Sequence, residues 1–256
     1  MKRRGLLKFL LVEAIALNYL PSDRARASTW SYTGETGTDF WGELDSEFAV
    51  CSSGQAQSPI NLESGVTAAV GNLELNYQDT PLAIVNNGRT IRVNYQPGSN
   101  LTLDGQVYEL LQFHFHQPSE HLVLGKPFAM EAHFVHQNLA TGDLVVLAVL
   151  MSEGAINPAL DTIWQKISVA DNLADREAQV SDLVINALQL LPKNSDRYYR
   201  YLGSLTTPPC SEIVTWLVLK QPISVSKWQI ARFLEVIGNN ARPIQALNQR
   251  ALLEFN

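Results

Sequence analysis

Two histidines separated by one phenylalanine stand in the stretch QFHFHQPSEH, residues 112–121. In a β-strand, successive side chains point to opposite faces, so His114 and His116 share one face with Gln112. Three polar side chains on one face of a strand do not build an apolar core. The pattern indicates a face that meets either water or a ligand that binds imidazole.

A third histidine lies in the next predicted strand, EAHFVHQ, residues 131–137. Alternation places His133 on one face with Glu131, and it places His136 on the other face. If this strand pairs with the preceding one, His133 converges with the two histidines there. Three neutral imidazoles with one open coordination position are the usual ligand set of a catalytic zinc ion, so the spacing predicts Zn²⁺ as a cofactor.

Metal-bound imidazoles usually donate their second ring N–H to an acceptor, and the sequence offers two acceptors at matching positions. Gln112 lies two residues before His114, and Glu131 lies two residues before His133. Any one of these histidines alone is more often a hydrogen-bonded or surface residue than a metal ligand. The combined pattern favours a metal site, while His136 is predicted to be a buried structural histidine.

The elements that position these side chains are predicted to be mostly strands. Alternating runs occupy residues 82–95 and 101–116, each divided by a turn signal, and residues 144–151 form an apolar run suited to a central strand. Asn157 and Ser226 are placed to cap two short helices. The second helix is predicted to bury one face, formed by Ile230, Phe233, Leu234 and Ile237. The fold class is therefore mainly β, a single domain with peripheral short helices.

The first 27 residues differ in kind from the rest of the chain. A basic MKRR start, a mostly apolar stretch and a small-residue site ending at Ala27 predict an export signal peptide, and RRGLLK resembles the twin-arginine type. An N-terminal amphipathic helix of the folded domain is the alternative. The apolar stretch is too short for a comfortable membrane span. We therefore expect residues 28–256 to form one exported domain, periplasmic or extracellular, with no membrane span in its mature form.

The charge balance excludes some partners. The sequence carries 19 Lys and Arg against 25 Asp and Glu, a net charge of −6. Without residues 1–27 the balance is 19 − 6 = 13 Lys and Arg against 25 − 2 = 23 Asp and Glu, and an acidic domain with no basic run is a poor candidate for binding nucleic acid or anionic lipid. Two cysteines, Cys51 and Cys210, suit an exported chain with one disulfide, and two free buried thiols are the alternative.

Six sequence blocks resemble the α-class carbonic anhydrases, and they occur in the order of that family. The blocks are QSPINL (57–62), NNG (86–88), QFHFHQPSEH (112–121), EAHFVH (131–136), GSLTTPPC (203–210) and NARP (240–243). The resemblance covers most of residues 30–250 and implies a large, mostly antiparallel twisted sheet around a central zinc cavity. It also implies a carbonate dehydratase, a zinc lyase that reversibly hydrates carbon dioxide to bicarbonate and a proton by zinc-hydroxide attack.

The resemblance assigns roles to individual residues. The zinc ligands would be His114, His116 and His133, oriented by Gln112, by the backbone carbonyl of Asn240 and by Glu131. Thr206 would accept a hydrogen bond from the zinc hydroxide and donate one to Glu120. The substrate pocket would be lined by Val135, Val146, Leu205, Trp216 and Thr207, and Cys51 would form a disulfide with Cys210.

The residue after NNG departs from the pattern of the family. Many members carry a histidine there that passes protons to solvent, whereas this chain has Arg89. Arginine keeps its proton near neutral pH, and the two histidines outside the ligand set, His121 and His136, are expected near the site and not at its mouth. We therefore predict a weak intrinsic proton shuttle that relies on buffer.

Three further residues differ from those usual in the family. Arg92 stands in place of a neutral polar residue of the cavity. Strict alternation puts Arg89 and Arg92 on opposite faces, so the sequence leaves open whether both point inward; an arginine that does would attract bicarbonate and other anions. Gln117 and Gln137 replace aromatic residues that are common beside the ligand strands, and the sequence assigns them no function.

The main alternative function is a carbonic-anhydrase-like binding domain that has lost catalysis, although such relatives usually lose a zinc ligand. A zinc peptidase would normally carry H-E-x-x-H on a helix, which the sequence lacks. Three histidines with no nearby cysteine or methionine ligand favour zinc over a blue-copper site. The expected partners are carbon dioxide and bicarbonate, with monomer and dimer both open.

Overall fold

Alternating apolar residues and tight turns make strands the dominant regular structure of the described residues, as the sequence predicts. The computed structural model describes residues 29–68, 72–167 and 178–256. The predicted export signal, residues 1–27, lies outside the described residues and stays a prediction. Within the described ranges, no helix is both long and apolar enough to span a bilayer.

Fifteen strands and four α-helices make up the regular structure of the described residues. Strands β1–β15 are, in chain order, Asn61–Leu62, Val66–Thr67, Leu73–Asn76, Thr80–Asn86, Ile91–Asn94, Asn100–Leu103, Gln106–His116, Leu122–Val123, Lys126–Pro127, Met130–Gln137, Leu144–Glu153, Ala178–Ile185, Tyr198–Gly203, Val214–Val225 and Leu253–Phe255. Helices α1–α4 are Trp41–Leu44, Val50–Ser53, Pro158–Trp164 and Lys227–Val236. Short 3₁₀ helices lie at Gly34–Thr36, Thr38–Phe40, Ser46–Phe48 and Ala187–Leu190.

One 12-stranded sheet dominates the described part of the chain, in the order β12-β4-β5-β7-β10-β11-β14-β13-β15-β2, with β6 on β7 and β3 on β6. Its neighbouring strands run antiparallel except for the β11–β14 and β15–β2 pairs, which are parallel. The apolar strand β11 lies between β10 and β14, so its predicted central position is confirmed. The mainly β single-domain fold with peripheral short helices is likewise confirmed.

The two predicted hairpins form at their turn signals. Residues 86–88 connect β4 to β5, and the Asp104-Gly105 pair connects β6 to β7 with φ angles of 51° and 80°. Positive φ at both central residues gives a turn whose twist matches that of the flanking strands, which explains the Asp-Gly sequence. These two turns fix β4 beside β5 and β6 beside β7.

Both predicted helix caps form, but one prediction about the second helix is wrong. The Asn157 side chain accepts from Leu160 N–H at the start of α3, and Ser226 and Gln229 form a capping box at the start of α4. Leu234 of α4 is 44% exposed instead of buried. The buried place is taken by the polar Gln229, whose side-chain amide donates to the Asn157 carbonyl at 2.8 Å.

The two faces of the sheet carry different chemistry because side chains alternate along β7 and β10. Phe113, Phe115 and Phe134 are buried in the larger apolar core on one face. His114 and His116 project from the other face of β7. The alternation that the sequence predicts thus separates a packed aromatic core from a polar site.

His136 lies on the aromatic face and is fully buried, so the prediction of a structural histidine is confirmed. Its Nε2 lies 2.7 Å from the Tyr77 hydroxyl, and its Nδ1 lies 3.2 Å from the Val145 carbonyl. A neutral ring satisfies both contacts by donating from Nδ1 and accepting at Nε2. Burial lowers the pKa of His136 from 6.5 to about 4, so the imidazole is neutral at pH 7.

We expect His136 to make the protein sensitive to acid. Because its folded pKa lies below its unfolded pKa, its contribution is full above about pH 6.5 and is lost as pH falls toward 4. The loss is on the order of 3 kcal/mol. His136→Asn keeps a donor for the Val145 carbonyl but does not titrate, so its urea-unfolding free energy should fall less steeply over this pH range. Parallel curves for the two proteins would contradict the assignment.

Candidate metal centre

The register between β7 and β10 brings the three predicted histidines together. His133 is the cross-strand partner of His114, and Glu131 is the partner of His116. One ring nitrogen from each of the three histidines lies within 4.8 Å of those of the other two. The convergence that the spacing predicts is therefore present in the structure.

Each of the three imidazoles donates from one ring nitrogen to an oxygen acceptor. The pairs are His114 Nδ1 with Gln112 Oε1 at 2.9 Å, His116 Nδ1 with the Asn240 carbonyl at 2.8 Å, and His133 Nε2 with Glu131 Oε1 at 2.8 Å. The other nitrogen of each ring then carries a lone pair. All three orienting residues are the ones that the family resemblance assigns.

The donor set fits a zinc ion. His116 Nε2 is buried and makes no hydrogen bond with any described residue, so its lone pair is left for another ligand. Burial lowers the pKa of His114, and the neighbouring histidines lower it further; burial also lowers the pKa of His116, where the Glu120 charge offsets part of the effect. A lowered pKa favours the neutral imidazole that binds metals. Three imidazole nitrogens beside an open cavity match a catalytic zinc site.

Glu131 is a buried carboxylate that orients two histidines. Its Oε1 accepts from His121 Nδ1 at 2.6 Å as well as from His133, and its Oε2 accepts from the His121 backbone N–H at 2.9 Å. Burial alone would raise its pKa, but the charges and hydrogen bonds of the two histidines outweigh burial and hold the pKa well below its usual range. His121, whose role the sequence left open, is therefore a partner of Glu131.

Glu120 lies beside the same cluster. Its Oε1 accepts from the Arg242 backbone N–H at 2.9 Å, and its Oε2 lies 3.8 Å from His133 Nδ1. This Oε2 atom is buried and makes no hydrogen bond within the described part of the chain. Thr206 is 6% exposed and lines the adjoining cavity. Within the described residues the hydrogen bond predicted from Thr206 to Glu120 is not formed, and Glu120 Oε2 is left with an unused acceptor site.

Arg242 is a residue to which the sequence analysis gave no role, although it belongs to the NARP block. Its guanidinium is 3% exposed and donates to the carbonyls of Ser58 and Cys51, each at 2.8 Å. Burial lowers its pKa to about 10, so it stays charged. Its own backbone N–H holds Glu120. Arg242 therefore connects the segment around Cys51 to the carboxyl group beside the histidines.

Cys51 and Cys210 form the predicted disulfide, with Cα atoms 5.0 Å apart. Trp41 and both half-cystines form a small buried cluster of their own. Cys210 lies in the loop between β13 and β14 that also carries Thr206, so the cross-link ties this loop to helix α2. The Gln57 side chain reinforces the tie by donating to the Cys210 carbonyl at 3.0 Å.

The histidine cluster lies in a cavity of about 710 Å³. All five residues predicted for the substrate pocket line it: Val135, Val146, Leu205, Trp216 and Thr207. Four of these are apolar, and they adjoin His133 on strands β10, β11 and β14 and on the loop after β13. The cavity therefore has one apolar wall next to the candidate metal ligands.

Arg89 and Arg92 both line this cavity, which settles the question that alternation left open. Arg89 lies in the turn after Gly88, before β5 begins at Ile91, so strand alternation does not extend to it. Arg92 is the cross-strand partner of His114 and projects from the same face. A polar, cationic wall therefore stands opposite the apolar one.

Gln117 and Gln137 occupy different places around the site. Gln137 lines the cavity. Gln117 exchanges two hydrogen bonds with Asn240: its backbone N–H donates to Asn240 Oδ1 at 2.8 Å, and its carbonyl accepts from Asn240 N–H at 3.1 Å. Asn240 in turn presents its carbonyl to His116, so Gln117 supports that histidine indirectly through its backbone.

Comparisons with known proteins agree with this geometry. The family model for eukaryotic-type carbonic anhydrase matches residues 36–255. A carbonic anhydrase from Nostoc sp. is 42% identical over 98% of this chain and 97% of its own length. The α-carbonic anhydrase of Thermovibrio ammonificans, solved with the inhibitor sulfanilamide, is 41% identical with a TM-score of 0.83, over 88% of this chain and 99% of its own. A dioscorin from Dioscorea polystachya is 34% identical over 100% of this chain and 96% of its own.

We expect Glu131→Gln to weaken zinc binding by about 10- to 100-fold, the usual effect of removing a partner that orients a metal ligand. The neutral amide cannot accept from both histidines as the carboxylate does. Competition with a chromophoric chelator measures the affinity directly. Glu47→Gln is the matched control because Glu47 is exposed on a surface 3₁₀ helix. Equal zinc affinities for the two variants would contradict the role given to Glu131.

Proposed function

Because the chain belongs to the eukaryotic-type, or α-class, carbonic anhydrase family, we propose that it catalyses the reversible hydration of carbon dioxide to bicarbonate and a proton, with zinc as its cofactor. Support comes first from the three imidazoles, whose ring nitrogens converge within 4.8 Å. The rest of the cavity supplies groups suited to the same reaction.

His114, His116 and His133 would hold the zinc ion, with Gln112, Asn240 and Glu131 fixing their ring orientations. Zinc bound to three imidazoles acts as a Lewis acid that lowers the pKa of water to about 7, a value known from carbonic anhydrase itself. The buried carboxylate of Glu131 adds negative charge next to His133, which makes that imidazole a more basic ligand for the metal ion. The chain thus provides a complete and oriented ligand set.

Thr206 and Glu120 would orient the attacking oxygen. The Thr206 hydroxyl has one proton to donate and can accept a hydrogen bond at its oxygen. Glu120 Oε2 is buried with no hydrogen-bond partner among the described residues, which supports it as the acceptor of the Thr206 proton. If that proton is committed to Glu120, Thr206 must accept from the nucleophile. A lone pair of the nucleophile is then directed at the substrate.

The apolar wall would receive carbon dioxide. Val135, Val146, Leu205 and Trp216 offer no hydrogen-bonding group at the cavity surface except the Trp216 indole, and that N–H already donates to the Ser204 carbonyl at 3.0 Å. An apolar, non-hydrogen-bonding molecule therefore displaces water from this wall at little cost. Thr207, at the edge of the wall, is proposed to contact the bicarbonate formed there.

The proton released by the reaction needs a path to solvent. Among the described residues, the three candidate metal ligands are the only histidines that line the cavity. Arg89 at the shuttle position keeps its proton near neutral pH. We therefore propose that buffer molecules entering the cavity carry most of the proton flux.

Export of the mature domain, residues 28–256, is part of the same proposal. The Cys51–Cys210 disulfide supports it because such bonds persist in oxidising compartments outside the cytosol. The alternative of a silent binding domain is less well supported, because the chain keeps all three histidines together with Thr206 and Glu120. The dioscorin relative shows that the name carbonic anhydrase is not universal among similar chains, so activity is decided by measurement.

Stopped-flow measurement of carbon dioxide hydration by zinc-loaded residues 28–256 tests the proposal. We expect a rate well above the buffer blank that is lost on chelation and restored by zinc. Thr206→Ala should lower kcat/KM about 100-fold, the usual effect of removing one positioned hydrogen-bonding group. Thr67→Ala, on the exposed edge strand β2, is the control. A zinc-loaded protein with no rate above the blank would overturn the proposal in favour of the binding domain.

If buffer carries the protons, we expect the hydration rate of the unchanged chain to rise with buffer concentration. Arg89→His places a group that titrates near neutral pH in the cavity wall and should raise the rate at low buffer by about tenfold or more. Arg232→His puts the same imidazole on helix α4, outside the cavity lining, and should have no effect. A high rate for the unchanged chain that stays flat with buffer would refute the weak shuttle.

A further inference from the structure

The charge lining the cavity is opposite in sign to the charge of the chain. The full sequence has a net charge of −6. Among the described residues that line the cavity, two are arginines, Arg89 and Arg92, and none is Asp, Glu or Lys. Glu120 and Glu131 lie behind the histidines and do not reach the cavity surface. A cavity with low-dielectric walls strengthens the field of such charges.

Arg89 is held in one orientation by the N-terminal aromatic residues. Its Nε–H donates to the Trp30 carbonyl at 3.3 Å, and its guanidinium carbon lies 4.4 Å from the centre of the Trp30 ring. These contacts use one of the five N–H donors of the guanidinium and one of its faces. They fix the plane of the group without occupying the donors at its outer end.

Arg92 is held next to the candidate metal ligands by the sheet itself. It is the cross-strand partner of His114, and His114 is the partner of His133 on the next strand. Directly paired residues project from the same face of a sheet with Cβ atoms about 5 Å apart. Arg92 is half-buried, so its charge is less screened than that of an exposed arginine.

Carbon dioxide gains little from two guanidinium groups, because it is neutral and a weak hydrogen-bond acceptor. Bicarbonate is a planar oxyanion, and the guanidinium fork matches two oxygens of such an anion. We propose that Arg89 and Arg92 form an anion subsite in the cavity wall that recognises bicarbonate as it enters or leaves. This inference rests on the proposed function, because it names how the same cavity recognises one of the two carbon species.

Two arginines in a wall can also be purely structural. Arg89 then serves only to fasten Trp30, and Arg92 only to cover the edge of the site. A structural role predicts that arginine variants lose stability or cavity shape without a selective loss of anion affinity. The bicarbonate proposal predicts the reverse, a loss of anion affinity with an intact cavity.

Equilibrium competition between bicarbonate and sulfanilamide separates these outcomes. Sulfanilamide is the inhibitor in the Thermovibrio ammonificans complex, and its binding to zinc-loaded protein is followed by the fluorescence of Trp30 and Trp216, which line the cavity. Its affinity is measured separately for every variant. The affinity of bicarbonate is then obtained from displacement, without any measurement of turnover.

We expect Arg89→Gln and Arg92→Gln each to weaken the affinity for bicarbonate by about tenfold, because each loses one charged hydrogen bond. Arg92→Lys keeps the charge but loses the fork, so it should fall in between. Arg232→Gln removes the same charge from helix α4, outside the cavity lining, and should leave the affinity for bicarbonate unchanged. Raising the ionic strength should weaken bicarbonate binding more in the unchanged chain than in the variant that carries both Arg89→Gln and Arg92→Gln.

If the bicarbonate affinities of the Arg89 and Arg92 variants all stay within about twofold of that of the unchanged chain, the subsite is overturned while the proposed function stands. An equal loss in Arg232→Gln overturns it too, since the effect is then one of net charge. If sulfanilamide fails to bind the unchanged zinc-loaded chain, the proposed function fails and the subsite fails with it. A selective loss in the cavity variants, with sulfanilamide still bound, supports the proposal.

Discussion

The register of β7 against β10 is the constraint on which the site depends. It places His133 opposite His114 and Glu131 opposite His116, so one register fixes all three candidate ligands and the carboxylate that orients His133. Because the side-chain period of a strand is two, a slip by one residue would turn His133 toward the aromatic core and Phe134 toward the cavity. The burial of Phe113, Phe115 and Phe134 on the far face therefore holds the histidines in place as firmly as any contact within the site.

A second layer of the structure consists of buried polar groups that satisfy one another. Glu131 accepts three hydrogen bonds from two histidines, and Arg242 reaches the carbonyls of Ser58 and Cys51 while its backbone holds Glu120. Hydrogen bonding offsets the cost of burying these groups and makes the network rigid, while Glu120 Oε2 is left as one unused acceptor among the described residues. The disulfide and the loop that carries Thr206 belong to the same network. Rigidity at the site thus comes from connections that extend to the N-terminal segment.

The cavity combines two walls of opposite character. The apolar wall suits carbon dioxide, and the wall with Arg89 and Arg92 suits an anion. An arginine at position 89 offers a planar fork of donors to an anion, whereas a histidine there would offer a group that titrates near neutral pH. The residue at this one position therefore bears on both anion recognition and proton transfer.

The sequence by itself determined the period of the strands, both hairpin turns, both helix caps and the three histidines on a shared face, since these depend on residues close together in the chain. Alternation also predicted the partners Gln112 and Glu131, and motif resemblance added Asn240. The sequence misplaced Leu234 and could not decide whether Arg89 and Arg92 both point inward. The structure decided the latter, because Arg89 sits in a turn where alternation does not apply and Arg92 is positioned by its pairing with His114. Arg242 likewise gained a role only from contacts with residues almost 200 positions away, at Cys51 and Ser58. Local propensity depends on neighbouring residues and can be predicted from them. Long-range contacts depend on how the whole sheet and its loops pack, which residue spacing does not predict.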